Sequence, residues 1–430
     1  GGMNVYIRGL ARELGRDGMY VDIFTRRSQP ETPTVERIGE RIRLIHLTAG
    51  PVAPLPPGEL FPYVGEFTRR LARFAQDDEE ARHGYDLLHT HYWLSAAAAL
   101  PLANAWDIPH VTMFHTVERL KAQQGLASAT PDLPLTPAQL IRIEHEGRIA
   151  NSVDRIIVST DHEGEQLRKL YGLSACHMRV IPCGVDLSAF TPGGLCSQPF
   201  ATRDDRSFSA GDLLTRLENA HHEARATLDA RLRLSGLPLL LFVGRLDPIK
   251  GIDLLLESVA SMNIPAQLLV VGGDPQRPGG DPEIERLREW AGKLGIGDRV
   301  YFPGAIPQAE LPTYYRAADA LVVTSRYESF GLVAVEALAC GTPVVAAPVG
   351  GLTSVVRDGE NGLLTRWRSP AAFAERLDEL LTDDALRLRL RAQARPSVER
   401  FDWRRIGDRV RALYAELTTA RRHIAACSCF

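Results

Sequence analysis

Two glutamates frame part of the stretch "RYESFGLVAVEALACGTPVVAAPVGG", Arg326 to Gly351. Glu328 stands just before a Ser-Phe-Gly-Leu turn, and Glu336 follows after seven intervening residues. A helix starting within Ser329, Phe330, Gly331 and Leu332 would offer unpaired N–H groups and the positive end of its dipole, which together make an anion site. Glu328 would lie just ahead of that start. Glu336 would lie two turns further on, roughly 12 Å away at ~1.5 Å of rise per residue. A ligand with a negative middle and hydroxyls at both ends matches this arrangement, and a nucleotide diphosphate sugar has that shape.

Upstream, "VGRLDPIKG" places Arg245 at the end of an apolar run and Lys250 just before a helical one. Ligands of open α/β sheets bind beyond the carboxyl ends of the strands, so both cations are aimed at the expected crevice. Arginine offers a fixed fork to phosphate oxygens and lysine a movable point charge. The order G-x-x-x-x-G-K-[ST] is absent, so ATP hydrolysis gains no support. The plainer reading of these charges is a solvated surface, with Glu328 favoured by the helix dipole alone. Glu336 resists that reading, because it interrupts the apolar run "GLVAVEALA" and a charge there needs a partner or a ligand.

Other candidates carry less. "LLHTHYW" (Leu87–Trp93) and "FHTVERLK" (Phe114–Lys121) each end a strand-like run with histidine, and a structural role is the commoner fate of such residues. Tyr92 and Trp93 are read as core or cleft wall. "FTRRLARFAQ" sets Phe67, Leu71 and Phe74 on one helix face and arginines on another, an ordinary amphipathic helix rather than a membrane-surface one. His423, Cys427 and Cys429 fit no standard metal spacing. His221 and His222 lie in a hydrophilic stretch and are expected to face solvent.

These residues need a frame. In the second half, "LPLLLFVGRL", "AQLLVVGGD", "RVYFPGAI", "ALVVTS" and "PVVAAPVGG" alternate with helical stretches. Short apolar strands separated by helices indicate a parallel, doubly wound α/β sheet. The first half repeats the alternation less cleanly, with "YVDIFTRR", "YDLLHTH", "PHVTMFHT" and "RIIVST" as strands. It opens on a helix closed by Gly18, so a strand is expected upstream of the given residues. The expected organisation is a Rossmann-like unit over 1–187, a linker and insertion over 188–236, a second Rossmann-like unit over 237–402 and a C-terminal helix over 403–430. That helix is expected to pack back toward the first unit.

Composition sets the outer limits. The 430 residues are 45% hydrophobic and 24% charged, enough for two cores, and a net charge of −3 gives no footprint for nucleic acid. Six irregularly spaced cysteines form no disulfide framework, which points to a reducing, cytoplasmic setting.

With those residues in hand, the chain resembles the retaining glycosyltransferases of family 4, which have the GT-B fold of two Rossmann-like domains facing a central cleft. The resemblance runs through "GGMNVY", "HTHYWLS", "FHT", "PCGVD", "VGRLDPIKG", the E-x7-E segment, "GTPVVA" and the final "FDW" helix. Within the family it is most similar to the bacterial inositol-phosphate enzymes of mycothiol synthesis, then to sucrose-phosphate synthases. The resemblance implies a nucleotide diphosphate sugar donor, with a UDP-sugar favoured, a small hydroxyl acceptor, and neither metal nor cofactor. Arg245 and Lys250 would neutralise the departing diphosphate. Glu328 would hold the donor sugar's hydroxyls, Glu336 the ribose, and backbone around Phe330–Leu332 the sugar and phosphates. Gly1 and Gly2 would approach the phosphates, and His115 would position the sugar. Asn4, Tyr92, Thr116 and Arg142 match parts of the cluster that grips an acceptor phosphate. Pro57 stands where those relatives carry a lysine for the same phosphate. The rival readings are nucleotide-sugar epimerisation, which needs no acceptor, and a non-catalytic nucleotide-sugar binding protein.

Overall fold

The computed structural model describes residues 2–81, 84–123, 135–193, 210–276 and 279–427. The chain divides into two compact units, one built from Gly1–Gly184 with Trp403–Phe430 and the other from Val185–Asp402.

The first unit opens with α1 (Gly2–Arg16), which buries Tyr6, Leu10 and Leu14 at helical spacing. Gly18, at φ 90°, ends it, and the Met19 N–H returns to the Leu14 carbonyl at 3.1 Å. β1 (Val21–Arg26), β2 (Val35–Gly39) and β3 (Ile42–Leu47) form one sheet in the order β1-β3-β2. β1 runs parallel to β3 and β2 antiparallel to it. α2 (Val64–Asp77) lays Phe67, Leu71 and Phe74 against Ile45 and Leu47.

A second, all-parallel sheet joins β4 (Leu88–His91), β5 (His110–Met113), β6 (Arg155–Val158) and β7 (Met178–Val180) in that order. Helices α3 (Trp93–Trp106), α4 (Glu118–Gln123), α5 (Pro137–Ala150) and α6 (Asp161–Tyr171) connect its strands. Thr136 starts α5 with a capping box: its hydroxyl accepts from the Gln139 N–H at 3.3 Å, while the Gln139 side chain accepts from the Thr136 N–H at 2.8 Å. That fixed start sets Arg142 and Glu146, one turn apart, on a shared face.

The second unit begins at Val185, and its first helix, α7 (Ala210–Leu232), lies inside the segment read from sequence as linker and insertion. Leu217, Ala220, Ala224 and Leu228 are its buried stripe. His221 belongs to that stripe's flank rather than to solvent, its Nδ1 being 2.8 Å from the Arg316 carbonyl. The expectation of an exposed His221 therefore fails, because the surrounding helix packs instead of looping.

Next come β8 (Leu239–Val243), α8 (Ile252–Ala260), β9 (Gln267–Val271), α9 (Pro282–Lys293) and β10 (Val300–Gly304). α10 (Leu311–Ala317), β11 (Ala320–Val323), α11 (Leu332–Ala339) and β12 (Val344–Ala346) follow. α12 (Leu352–Val355), β13 (Gly362–Leu364), α13 (Pro370–Thr382) and α14 (Asp384–Val398) complete the unit. The six strands are parallel in the order β10-β9-β8-β11-β12-β13. Leu240, Phe242, Leu268, Val270, Val322 and Val345 meet Leu255, Leu287, Phe373 and Leu377 in the core. Continuous apolar strands fit a sheet covered on both faces. The strand order reverses between β8 and β11, the switch point at which such sheets take ligands.

α15 (Trp403–Cys427) returns to the first unit. Glu416 accepts from Arg155 of β6 at 2.7 Å and also from Arg179 of β7, and the Trp403 ring lies 5.4 Å from that of Tyr6. Among the described residues, no helix is long and apolar enough to cross a membrane.

Candidate active site

The loop after β8 and the loop after β11 meet at the switch point of the second unit. Asp247 caps a single turn over Pro248–Lys250, its carboxylate accepting from the Ile249 N–H at 3.0 Å. The Thr324 hydroxyl donates to the Lys250 carbonyl at 3.0 Å, and the Arg326 N–H to the Ile249 carbonyl at 2.7 Å. These bonds bring Lys250 Nζ to 2.6 Å from Glu328 Oε2, with both side chains only partly exposed. Arg245 stays outside that contact: its side chain is 75% exposed and 3.6 Å from Asp247.

α11 starts at Leu332, so Ser329 and Phe330 precede it and Gly331, at φ 95°, supplies its entry. Glu336 consequently sits just over one turn into the helix, not two. The Glu328–Phe330 turn is backed closely by Gly350 and Gly351. The Gly351 N–H donates to the Glu328 carbonyl at 2.8 Å. A Cβ on Gly351 would meet the Ser329 carbonyl oxygen at 2.2 Å and Phe330 Cα at 2.5 Å. Phe330 itself is buried edge-on to Phe401, so its side chain anchors the turn while its backbone stays at the helix entrance. Glu336 is buried and accepts from the Tyr315 hydroxyl at 2.7 Å, with Gln308 Nε2 at 3.5 Å. Burial raises its pKa to about 7, against the lowering pull of those two donors.

In the first unit, the neighbouring strands β4 and β5 each run into a non-glycine residue with positive φ: Tyr92 at 75° and His115 at 58°. Such backbone strain gathers where side chains must be held against their local preference. His91 Nδ1 lies 3.0 Å from His115 Nε2, and the Tyr6 ring stands edge-on to both imidazoles. Burial lowers the His115 pKa to about 4 and His91 well below its ordinary value, so both are neutral near pH 7.

Arg142 gathers a second constellation. Its Nε donates to Glu146 at 2.7 Å, one Nη to the Tyr92 hydroxyl at 3.0 Å, and the other to the Thr116 carbonyl and hydroxyl at 2.8 and 3.1 Å. Glu118 lies 2.9 Å from the same guanidinium, and Lys121 Nζ lies 3.6 Å from Glu118. Three of the four residues matched from sequence to the acceptor cluster are thus in contact. Asn4 and Gly2 are exposed in the first turn of α1, and Gly1 lies outside the described residues. Pro57 begins an exposed single turn and brings no cation. Glu118, Lys121, Glu146, Gln308 and Tyr315 escaped the sequence reading. The spacing of Glu118 and Lys121 suits a solvated helix face equally well, and the partners of Glu336 lie far from it in the chain. For Glu146, its position one turn after Arg142 was the available signal.

Two family models match. Residues 1–189 match Glycosyltransferase Family 4, and residues 225–396 match Glycosyl transferases group 1. The chain is 38% identical over 422 residues to a D-inositol 3-phosphate glycosyltransferase of Xylanimonas cellulosilytica, covering 98% of this chain and 93% of that one. It is also 38% identical over 426 residues to its counterpart in Thermomonospora curvata, covering 96% and 90%. Among solved structures it is similar to the sucrose-phosphate synthase of Thermosynechococcus elongatus, with TM-score 0.81, 34% identity, and 98% and 94% coverage. A likeness to Anabaena HepE in complex with UDP and glucose, with TM-score 0.70, 20% identity, and 97% and 96% coverage, concerns the fold alone. The two Rossmann-like units are those of the GT-B class.

Proposed function

We propose, on the premise that this chain belongs to the family 4 glycosyltransferases, that it moves a hexosyl unit, with retention, from a nucleotide diphosphate sugar to a hydroxyl of a small phosphorylated polyol or sugar. A UDP-sugar is the favoured donor, and a cytoplasmic setting suits it. The observation that carries the reading is the Lys250–Glu328 pair, 2.6 Å long, at the switch point and beside the entrance of α11, with Glu336 buried in that helix. A cation for phosphate, amides at a helix entrance, and carboxylates for hydroxyls lie along one short path. Similarity to D-inositol 3-phosphate glycosyltransferases and to a sucrose-phosphate synthase supports a phosphorylated acceptor.

In this reading the second unit holds the donor. Lys250 takes a diphosphate oxygen, and Arg245, exposed just past the strand end, adds its fork. Glu328 accepts from sugar hydroxyls and Glu336 from the ribose. The bond between the anomeric carbon and the phosphate oxygen breaks as the acceptor oxygen attacks from the same face. The acceptor proton passes to the departing phosphate oxygen. Charge grows on that oxygen, so Lys250 and Arg245 stabilise the transition state more than the ground state. His115, neutral and held by His91, orients the sugar rather than taking the proton. Tyr92, Thr116 and Arg142 hold the acceptor.

The test is a thermal-shift panel of UDP, ADP and GDP, each free and as its glucose conjugate, followed by product mass and anomeric configuration with phosphorylated and plain polyols. A selective shift with one nucleotide and an acceptor-dependent, retained product are expected. Free nucleotide with an isomerised sugar and no acceptor requirement would overturn the reading in favour of epimerisation.

A further inference from the structure

We propose that the carboxylate of Glu118 holds, in the free protein, the place that an acceptor's phosphate takes, and so sets how tightly a phosphorylated acceptor binds. This rests on the reading of Arg142 as an acceptor-binding residue. Three donors converge on this one carboxylate. Arg142 Nη1 is 2.9 Å and Lys121 Nζ 3.6 Å from Oε2, and Gln139 Nε2 donates to Oε1 at 3.0 Å. Two cations and an amide around a single anion form the kind of seat that a phosphomonoester also needs.

The two glutamates beside Arg142 differ in how they are held. Glu146 is fully buried and takes both Arg142 Nε, at 2.7 Å, and the backbone N–H of Glu118, at 2.9 Å. With Thr116, it orients the guanidinium from the far side. The Glu118 carboxylate, also buried, is bound among the described residues by side chains alone, from the first turn of the short helix α4. Its departure would leave the Arg142 contacts to Glu146, Tyr92 and Thr116 in place. The formal charges of Arg142, Lys121, Glu118 and Glu146 already balance, so a phosphate added without displacement would confront two carboxyl groups in a largely dry site. Exchange with Glu118 removes that conflict: one anion leaves the seat as another enters.

Titration of the full chain with inorganic phosphate tests this, in the wild type, Glu118→Gln and Glu118→Ala. Both variants are expected to bind phosphate about tenfold more tightly than wild type, and a further Arg142→Ala substitution to abolish the gain. A merely structural Glu118 would lower the melting temperature without raising phosphate affinity. Equal or weaker phosphate binding in both variants, with measurable binding by wild type, overturns the proposal and leaves the acceptor reading standing. No binding by any of the three proteins overturns both.

Discussion

Lys250 Nζ and Glu328 Oε2 lie 2.6 Å apart, joining the turn that follows β8 to the loop that follows β11. The contact spans the point where the strand order reverses. It is supported from below by Thr324, whose hydroxyl holds both the Lys250 and Gly251 carbonyls. The cation and the carboxylate hold each other in place, and a donor would divide them between its phosphate and its hydroxyls.

Lys250→Ala is expected to lower kcat about 10²–10³-fold, the usual loss when one preorganised donor to a developing oxyanion is removed. Glu328→Ala should abolish turnover while sparing nucleotide binding. Steady-state rates with the donor found by thermal shift, alongside UDP titrations, check both. Unchanged product formation in either variant would remove the pair from the reaction.

Glu336 predicts a pH dependence of stability. Its folded pKa of about 7 exceeds the ordinary carboxylate value of 4.5 because burial penalises the charge. Between those values the folded chain binds more protons than the unfolded one, so stability falls as pH rises through this window. The full difference comes to about 3 kcal/mol as an upper figure. Glu336→Gln keeps an acceptor for the Tyr315 hydroxyl and removes the titration. The melting temperature of the variant should therefore gain on wild type between pH 5 and pH 8; parallel curves would contradict the burial cost.

Gly351→Ala should damage the donor site without touching any charged residue. The added carbon would lie 2.2 Å from the Ser329 carbonyl oxygen and 2.5 Å from Phe330 Cα, both backbone atoms that cannot rotate aside. The Glu328–Phe330 turn must shift, at a cost of about 1–3 kcal/mol in stability. Affinity for UDP is expected to drop at least about tenfold; wild-type affinity would show that the turn does not bind nucleotide.

Two substitutions in α15 should separate packing from charge. Trp403→Ala removes the indole against which Gly9 and Gly184 lie and should cost about 3 kcal/mol. Glu416→Ala breaks two exposed ion pairs and should cost under about 1 kcal/mol. Chemical denaturation of both variants measures the difference, and equal losses would mean that the helix is held chiefly by charge.

The sequence shows the second unit more plainly than the first, for a physical reason. Strands such as Leu239–Val243 and Gln267–Val271 are buried at every residue but Val243 and, Gln267 apart, read as apolar runs. Val35–Gly39 is an edge strand with exposed, charged residues and carries no such run. α7 was hidden because its stripe of Leu217, Ala220, Ala224 and Leu228 is half alanine and follows a stretch rich in Pro, Gly and Ser. At the site, Glu328, Glu336 and Lys250 stood out because charge interrupts apolar or glycine-rich sequence there. Glu118 and Lys121 gave no such contrast, and only the approach of α5 to α4 gives them their meaning.

The first unit is written in two pieces, with all of the second unit between them. During synthesis, Tyr6 and His89 leave the ribosome long before their partners Trp403 and Tyr414 exist. The second unit, continuous in sequence, can finish folding first, while the larger piece of the other waits with an aromatic surface uncovered. Nascent chains of this protein therefore pass through a stage that invites chaperone binding, and it ends only when the last helix is released.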